Sequence, residues 1–132
     1  MREVPLISIV DDHALTRETI RDLVRSLGFS AVTFASAESF LRSSSIAETA
    51  CLVLDVQMPK MSGLDLQDHL SRNGFGIPII FVTAYPDDSI KARALSAGAV
   101  CYLQKPLELL VCFNDCLHAA FSRGRRPAPA VN

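Results

Sequence analysis

The chain has almost no charge imbalance: 13 Lys and Arg stand against 14 Asp and Glu, for a formal net charge of -1 over 132 residues. That argues against nucleic-acid or membrane attachment driven by bulk charge. There is no apolar run of the length needed to cross a bilayer. The start, "MREVPLISIV", carries an acidic residue, is broken by Pro5 and lacks a small-residue cleavage site, so it does not read as a secretory signal. A cytoplasmic protein is the expectation. The four cysteines, Cys51, Cys101, Cys112 and Cys116, contain no C-x-x-C pair. This argues against a cysteine metal site and leaves four reduced thiols, buried as small hydrophobes, as the expectation. Internal repeats and low-complexity segments are also missing from the body of the chain.

What is present is a globular balance, 49% hydrophobic and 20% charged, in a length that fits one domain. Apolar runs alternate five times with helical patterns. Strands are predicted at Pro5–Val10, Ala31–Phe34, Cys51–Leu54, Pro78–Val82 and Val100–Leu103. "LISIV", "CLVL" and "IPIIFV" are apolar almost throughout, as suits strands covered on both faces of a parallel sheet. Between them, Ile20, Leu23, Val24 and Leu27 recur at helical spacing before Gly28. Ser36 is a predicted N-cap for a short second helix. Ser62 with Asp65 resembles a capping box. Asp87 or Asp88 caps a fourth helix ending near Gly98, and a fifth helix is expected to bury Leu110, Phe113, Leu117 and Phe121. The order is (βα)5, which right-handed crossovers turn into a doubly wound α/β fold. Beyond residue 121 the tail "SRGRRPAPAVN" loses apolar periodicity. It reads as a linker or disordered end over 122–132, with Arg123, Arg125 and Arg126 as solvated charges.

In open α/β sheets ligands bind outside the carboxyl ends of the strands. Strand one ends at Asp11-Asp12, strand three at Asp55, strand four at Thr83, and strand five at Gln104-Lys105 before Pro106. Strand two offers only Ala35-Ser36, which suits an outer position. Crowded carboxylates repel one another, and desolvation worsens it. A hard divalent cation relieves the repulsion, Mg²⁺ typically binding one or two carboxylates plus phosphate and water. Lys105 adds positive charge and Thr83 a hydroxyl that can donate to a phosphate oxygen. These are the parts of a phosphoryl-transfer centre, with Asp55 as the nucleophile that forms an acyl phosphate. Asp11 and Asp12 are then the paired metal ligands.

Taken together, "VDDH", "LVLDVQMPKMSG", "FVTA" and "LQKP" resemble the receiver domain of bacterial two-component response regulators, over residues 4 to about 121. "FASAESFL" and "CLVLDVQMPKMSGLDLQ" are most similar to the FixJ branch, whose members often carry a LuxR-type DNA-binding domain. The resemblance implies a flavodoxin/CheY-like three-layer sandwich with strand order 2-1-3-4-5 and a receiver domain over 1–121. It implies that Asp55 accepts phosphate from a histidine kinase. Mg²⁺, or Mn²⁺, would be held by Asp12, Asp55 and the main-chain carbonyl of Gln57, with Asp11 acting mainly through water. Lys105 would bridge to Asp55 or the phosphate, through a residue joined to Pro106 by a cis peptide bond. Thr83 and Tyr102 would form the switch, the ring turning inward on activation, and Gln57 and Tyr85 would tune hydrolysis. The implied output face is helix four, strand five and helix five, often a homodimer contact; no nucleic-acid or membrane contact is expected of this domain itself.

Three positions depart from common patterns: His13 after the acidic pair, Pro86 after strand four, and Cys101 beside Tyr102. His69 and His118 carry no assignment. Besides a phosphorylated switch that catalyses only its own phosphotransfer and dephosphorylation, three other readings stand. One is a single-domain regulator acting through partners, and another a pseudo-receiver that only binds partners. The last is a haloacid-dehalogenase-type phosphatase, disfavoured because the position two after Asp55 is Gln57 rather than an acid.

Overall fold

The computed structural model describes residues 4–123; of the linker expected over 122–132, Ser122 and Arg123 are helical and the rest lies outside the described residues. Five strands, β1 (Leu6–Val10), β2 (Ser30–Phe34), β3 (Thr49–Asp55), β4 (Ile79–Thr83) and β5 (Cys101–Gln104), pair in parallel in the order β2-β1-β3-β4-β5. Helices α1 (Ala14–Ser26), α2 (Ala37–Arg42), α3 (Gly63–Arg72), α4 (Asp88–Ser96) and α5 (Leu107–Arg123) form the crossovers. A 3-10 turn, Ser44–Glu48, unforeseen from the sequence, leads into β3. Among the described residues no helix is long and apolar enough to cross a membrane.

The three layers follow from the two-residue period of the strands. Leu52 and Leu54 point to one face and pack with Val10, Phe40, Leu66, Leu70 and Phe81. Cys51 and Val53 point to the other and pack with Ile9, Ile20, Val24, Phe113 and Leu117. Both faces of β3 are therefore dry, which explains its unbroken apolar run. Full burial of each such side chain contributes about 1.5–3 kcal/mol. The expected caps form: Ser36 Oγ accepts from the Ser39 N–H, Ser62 and Asp65 make a reciprocal capping box, and Asp87 accepts from the Ser89 and Ile90 N–H groups.

Two expectations fail. Leu110 is 56% exposed and Phe121 only partly buried; α5 instead buries Leu109, Phe113, Cys116, Leu117 and Ala120. The run Leu109-Leu110-Val111 makes the helical phase degenerate in sequence, and docking on the sheet selects Leu109. The cysteines are also not four thiols: Cys101 on β5 is bonded to Cys116 on α5, while Cys51 and Cys112 are free. The partners stand 15 residues apart, so no local motif announces them. They meet because α5 folds back beside the strand it follows.

One glycine sets the β3–α3 connection. A Cβ at Gly63 would fall on the carbonyl oxygen of Asp55, while the Gly63 N–H donates to the Val56 carbonyl at 2.9 Å. Helix α3 thus starts in direct contact with the strand end. Gly63→Ala is expected to destabilise the fold by about 1–3 kcal/mol through overpacking against backbone, read from the denaturant midpoint. Gly76→Ala, where a Cβ meets nothing within 4 Å, should stay within about 0.5 kcal/mol; equal effects would remove the close-approach explanation. For the cysteines, alkylation of unreduced, denatured protein should label two thiols, Cys51 and Cys112, and label four only after reduction; four labels before reduction would restore the all-thiol reading.

Candidate functional site

The carboxyl ends of β1, β3, β4 and β5 converge because parallel strands in register all end on one edge of the sheet. Val10 pairs with Leu54, Asp55 with Val82, and Thr83 with Gln104. Asp11 and Asp12 follow β1 directly, Asp55 is the last residue of β3, Thr83 closes β4, and Lys105 follows β5. β2 lies at the sheet edge and supplies none of these groups.

Asp11 is fully buried and both of its carboxylate oxygens are engaged. Oδ2 accepts from Lys105 Nζ at 2.7 Å, and Oδ1 accepts from the His13 N–H at 2.9 Å. Lys105 Nζ lies 3.5 Å from Asp55 Oδ1, and its side chain is only 10% exposed. The Lys105–Pro106 peptide bond is cis. Lys105 therefore bridges two acids rather than neutralising Asp55 alone.

Two buried oxygens, Asp12 Oδ1 and Asp55 Oδ2, accept no hydrogen bond from the described residues. The Asp55 side chain is 4% exposed, so its second oxygen has lost water without gaining a donor, an arrangement costly in a metal-free protein. Burial first, and then the charge of Asp11, push the Asp55 carboxyl up to about 7; Lys105 opposes the shift and Asp12 adds to it. His13 Nδ1 sits 3.2 Å from Asp12 Oδ1 and 3.5 Å from Asp11 Oδ1. One ligating atom from each of Asp11, Asp12, His13 and Asp55 lies within 4.8 Å of the others. The three carboxylates of this group, two of whose oxygens are unpartnered, fit a hard divalent cation.

The other predicted positions occupy the surroundings. Thr83 is buried, and its Oγ1 accepts from the Tyr85 N–H at 3.0 Å. Accepting that bond leaves the hydroxyl hydrogen available for another acceptor. Tyr85 itself projects into solvent. Gln57 is exposed on the loop after Asp55. That loop contains Lys60 at φ 65, in the left-handed region. Tyr102 was expected to turn inward on activation; its ring is already buried here, and its hydroxyl accepts from the Asp87 N–H at 3.2 Å. This bond ties β5 to the N-cap of α4. Sequence reasoning passed over Gly63 as a contributor to the site. Its only signal was a glycine just after the N-cap Ser62, where close backbone approach leaves no other trace.

Known proteins resemble this chain in sequence and fold. The family described as response regulator receiver domain matches residues 7–111. Nodulation protein W of Bradyrhizobium diazoefficiens is 41% identical over 124 residues, which are 92% of this chain and 53% of that protein. The response regulator protein TodT of Pseudomonas putida is 41% identical over 130 residues, covering 96% of this chain and 57% of the relative. The chain thus spans little more than half the length of these relatives. Among solved structures, FixJ-N superposes with a TM-score of 0.78 at 31% identity, covering 92% of this chain and 96% of that one. With the five-stranded order, the acids on one sheet edge and a family match over most of its length, the chain belongs to the response regulator receiver domains.

Proposed function

We propose that the chain is a phosphorylation-driven signalling switch that accepts a phosphoryl group on Asp55 from a histidine kinase. The observation that carries this reading is the unpartnered Asp55 Oδ2, buried on a carboxylate whose other oxygen, Oδ1, lies 3.5 Å from Lys105 Nζ. That oxygen attacks phosphorus; the bond from phosphorus to the kinase imidazole nitrogen breaks, and the nitrogen keeps the electron pair. Asp12, Asp55 and the Gln57 main-chain carbonyl would hold Mg²⁺ or Mn²⁺. Asp11, each of whose oxygens already accepts one hydrogen bond, from Lys105 and from the His13 N–H, would contribute through water. When bound, the cation supplies positive charge that offsets the carboxylates and the transferring phosphoryl oxygens. Lys105 carries part of the same charge, and the Thr83 hydroxyl donates to a phosphoryl oxygen. Return to the resting state is hydrolysis of the acyl phosphate, with Gln57 and Tyr85 flanking the approach of water. The domain acts on no external substrate.

The signal leaves through Thr83 and Tyr102. A hydroxyl drawn toward phosphate pulls on the Tyr85 backbone, and Tyr102 couples that loop to α4 through the Asp87 N–H. The receiving surface is α4, β5 and α5, where Leu95, Leu110 and Val111 are exposed. Those residues suit a homodimer contact that phosphate favours by differential binding to one of two arrangements. The relatives extend well beyond the matched region, and one is named a transcriptional regulatory protein. This supports control of a transcription-regulator output domain in the cytoplasm.

Incubation with acetyl phosphate is expected to add one phosphoryl group by intact mass, only with Mg²⁺ and not in Asp55→Asn. No gain under any condition would leave a partner-binding pseudo-receiver. The ionisation of Asp55 gives a second test. Its folded pKa, about 7, lies above the unfolded 3.8, so its contribution to stability is fully present below pH 3.8 and is lost as pH rises through 7. In metal-free buffer, Asp55→Asn should gain stability relative to the parent between those two values and hold the gain at higher pH. Mg²⁺ should erase the difference. A pH-independent difference would contradict the raised carboxyl.

A further inference from the structure

His13 stands at the mouth of the acidic site, and nothing in the proposed phosphoryl transfer uses its ring. We infer that the His13 imidazole is a direct ligand of the cation site and shifts its preference from Mg²⁺ toward first-row transition-metal ions. The inference rests on the cation-site reading given above.

Three observations carry it. The first is position. His13 is the N-cap residue of α1, with φ -97 and ψ 117, and its side chain makes no capping hydrogen bond. Its N–H is held by Asp11 Oδ1, so the backbone is anchored to the site while the ring has no helix to serve. The second is spacing. Donors on neighbouring corners of an octahedron with metal–ligand distances of 2.0–2.1 Å lie about 3 Å apart. His13 Nδ1 is 3.2 Å from Asp12 Oδ1, close to what two donors on one ion require. The third is need. Asp12 Oδ1, the atom nearest the ring, accepts no hydrogen bond, and neither does the 4%-exposed Asp55 Oδ2 behind it. The contact with the imidazole is thus not spent on an aligned hydrogen bond, and both oxygens still face the space where an ion would sit.

The chemistry of the donors sets the direction of the preference. Mg²⁺ demands oxygen ligands and keeps much of its water. Imidazole suits Zn²⁺, Ni²⁺, Co²⁺ and their neighbours, whose affinity for nitrogen–oxygen sites also rises along the Irving–Williams order. An all-oxygen site at this sheet edge discriminates weakly among hard cations. Adding one nitrogen raises affinity for the transition ions and leaves Mg²⁺ nearly untouched. The ring is 68% exposed, so it is free to swing onto the ion and the ion to enter past it.

Titration calorimetry with Co²⁺ and with Mg²⁺ tests this on the whole chain, for the parent, His13→Ala and Asp55→Asn. Because the His13 side chain makes no capping bond, His13→Ala removes the ring without removing a cap. The expected result is a loss of Co²⁺ affinity of about tenfold or more in His13→Ala, with Mg²⁺ affinity held within about twofold. A hyperfine-shifted imidazole proton in the Co²⁺-loaded parent, missing in His13→Ala, should accompany it. Equal losses for both ions, or none for Co²⁺, would overturn the ligand assignment without touching the reading of Asp55 as the phosphoryl acceptor. If Asp55→Asn changes the affinity of neither ion, the cation site itself fails, and His13 as its ligand fails with it.

Discussion

The structure depends on a contradiction at one edge of the sheet: three carboxylates are gathered where water is scarce, with a single lysine among them. Like charges at this spacing cost free energy that increases as the dielectric falls. Lys105 offsets part of it by bridging Asp11 and Asp55, and each Asp11 oxygen has a donor, Lys105 on one and the His13 N–H on the other. The remainder is left on Asp12 and Asp55, each with one oxygen that accepts no hydrogen bond from the described residues. A site that is strained in this way is poised to gain from positive charge, whether from an ion or from the lysine's closer approach.

That edge can exist only because the rest of the fold is so well covered. Both faces of β3 are apolar and sealed, by α2, α3 and α4 on one side and α1 and α5 on the other. Asp55 therefore sits on a strand that cannot shift to relieve it. Gly63 seats α3 directly against the Asp55 carbonyl and closes the near side of the loop. The burial that stabilises the core is thus the same burial that raises the Asp55 carboxyl.

From this centre a short path of hydrogen bonds runs outward. Thr83 holds the Tyr85 N–H, and Tyr102 holds the Asp87 N–H at the start of α4. The Cys101–Cys116 bond then joins β5 to α5 one residue from Tyr102. The path crosses into the surface where Leu110 and Val111 are exposed.

The sequence by itself determined the alternation of strands and helices, the helix caps at Ser36 and Ser62, a cap at Asp87 or Asp88, and the gathering of Asp11, Asp12, Asp55, Thr83 and Lys105 on one edge. Each rests on a local signal: a period, a cap, or a polar residue where an apolar run stops. Parallel topology then converts strand ends into neighbours. Tertiary structure alone decided the rest. It chose Leu109 over Leu110 as the buried face of α5, because three consecutive apolar residues satisfy more than one helical phase. It joined Cys101 to Cys116, since proximity across 15 residues depends on how α5 docks. It put Tyr102 inside with a backbone donor on its hydroxyl, and it gave Lys105 a shorter contact with Asp11 than with Asp55. These outcomes turn on distances of an ångström or less between side chains from different elements, and no linear pattern of residue types encodes a distance of that kind.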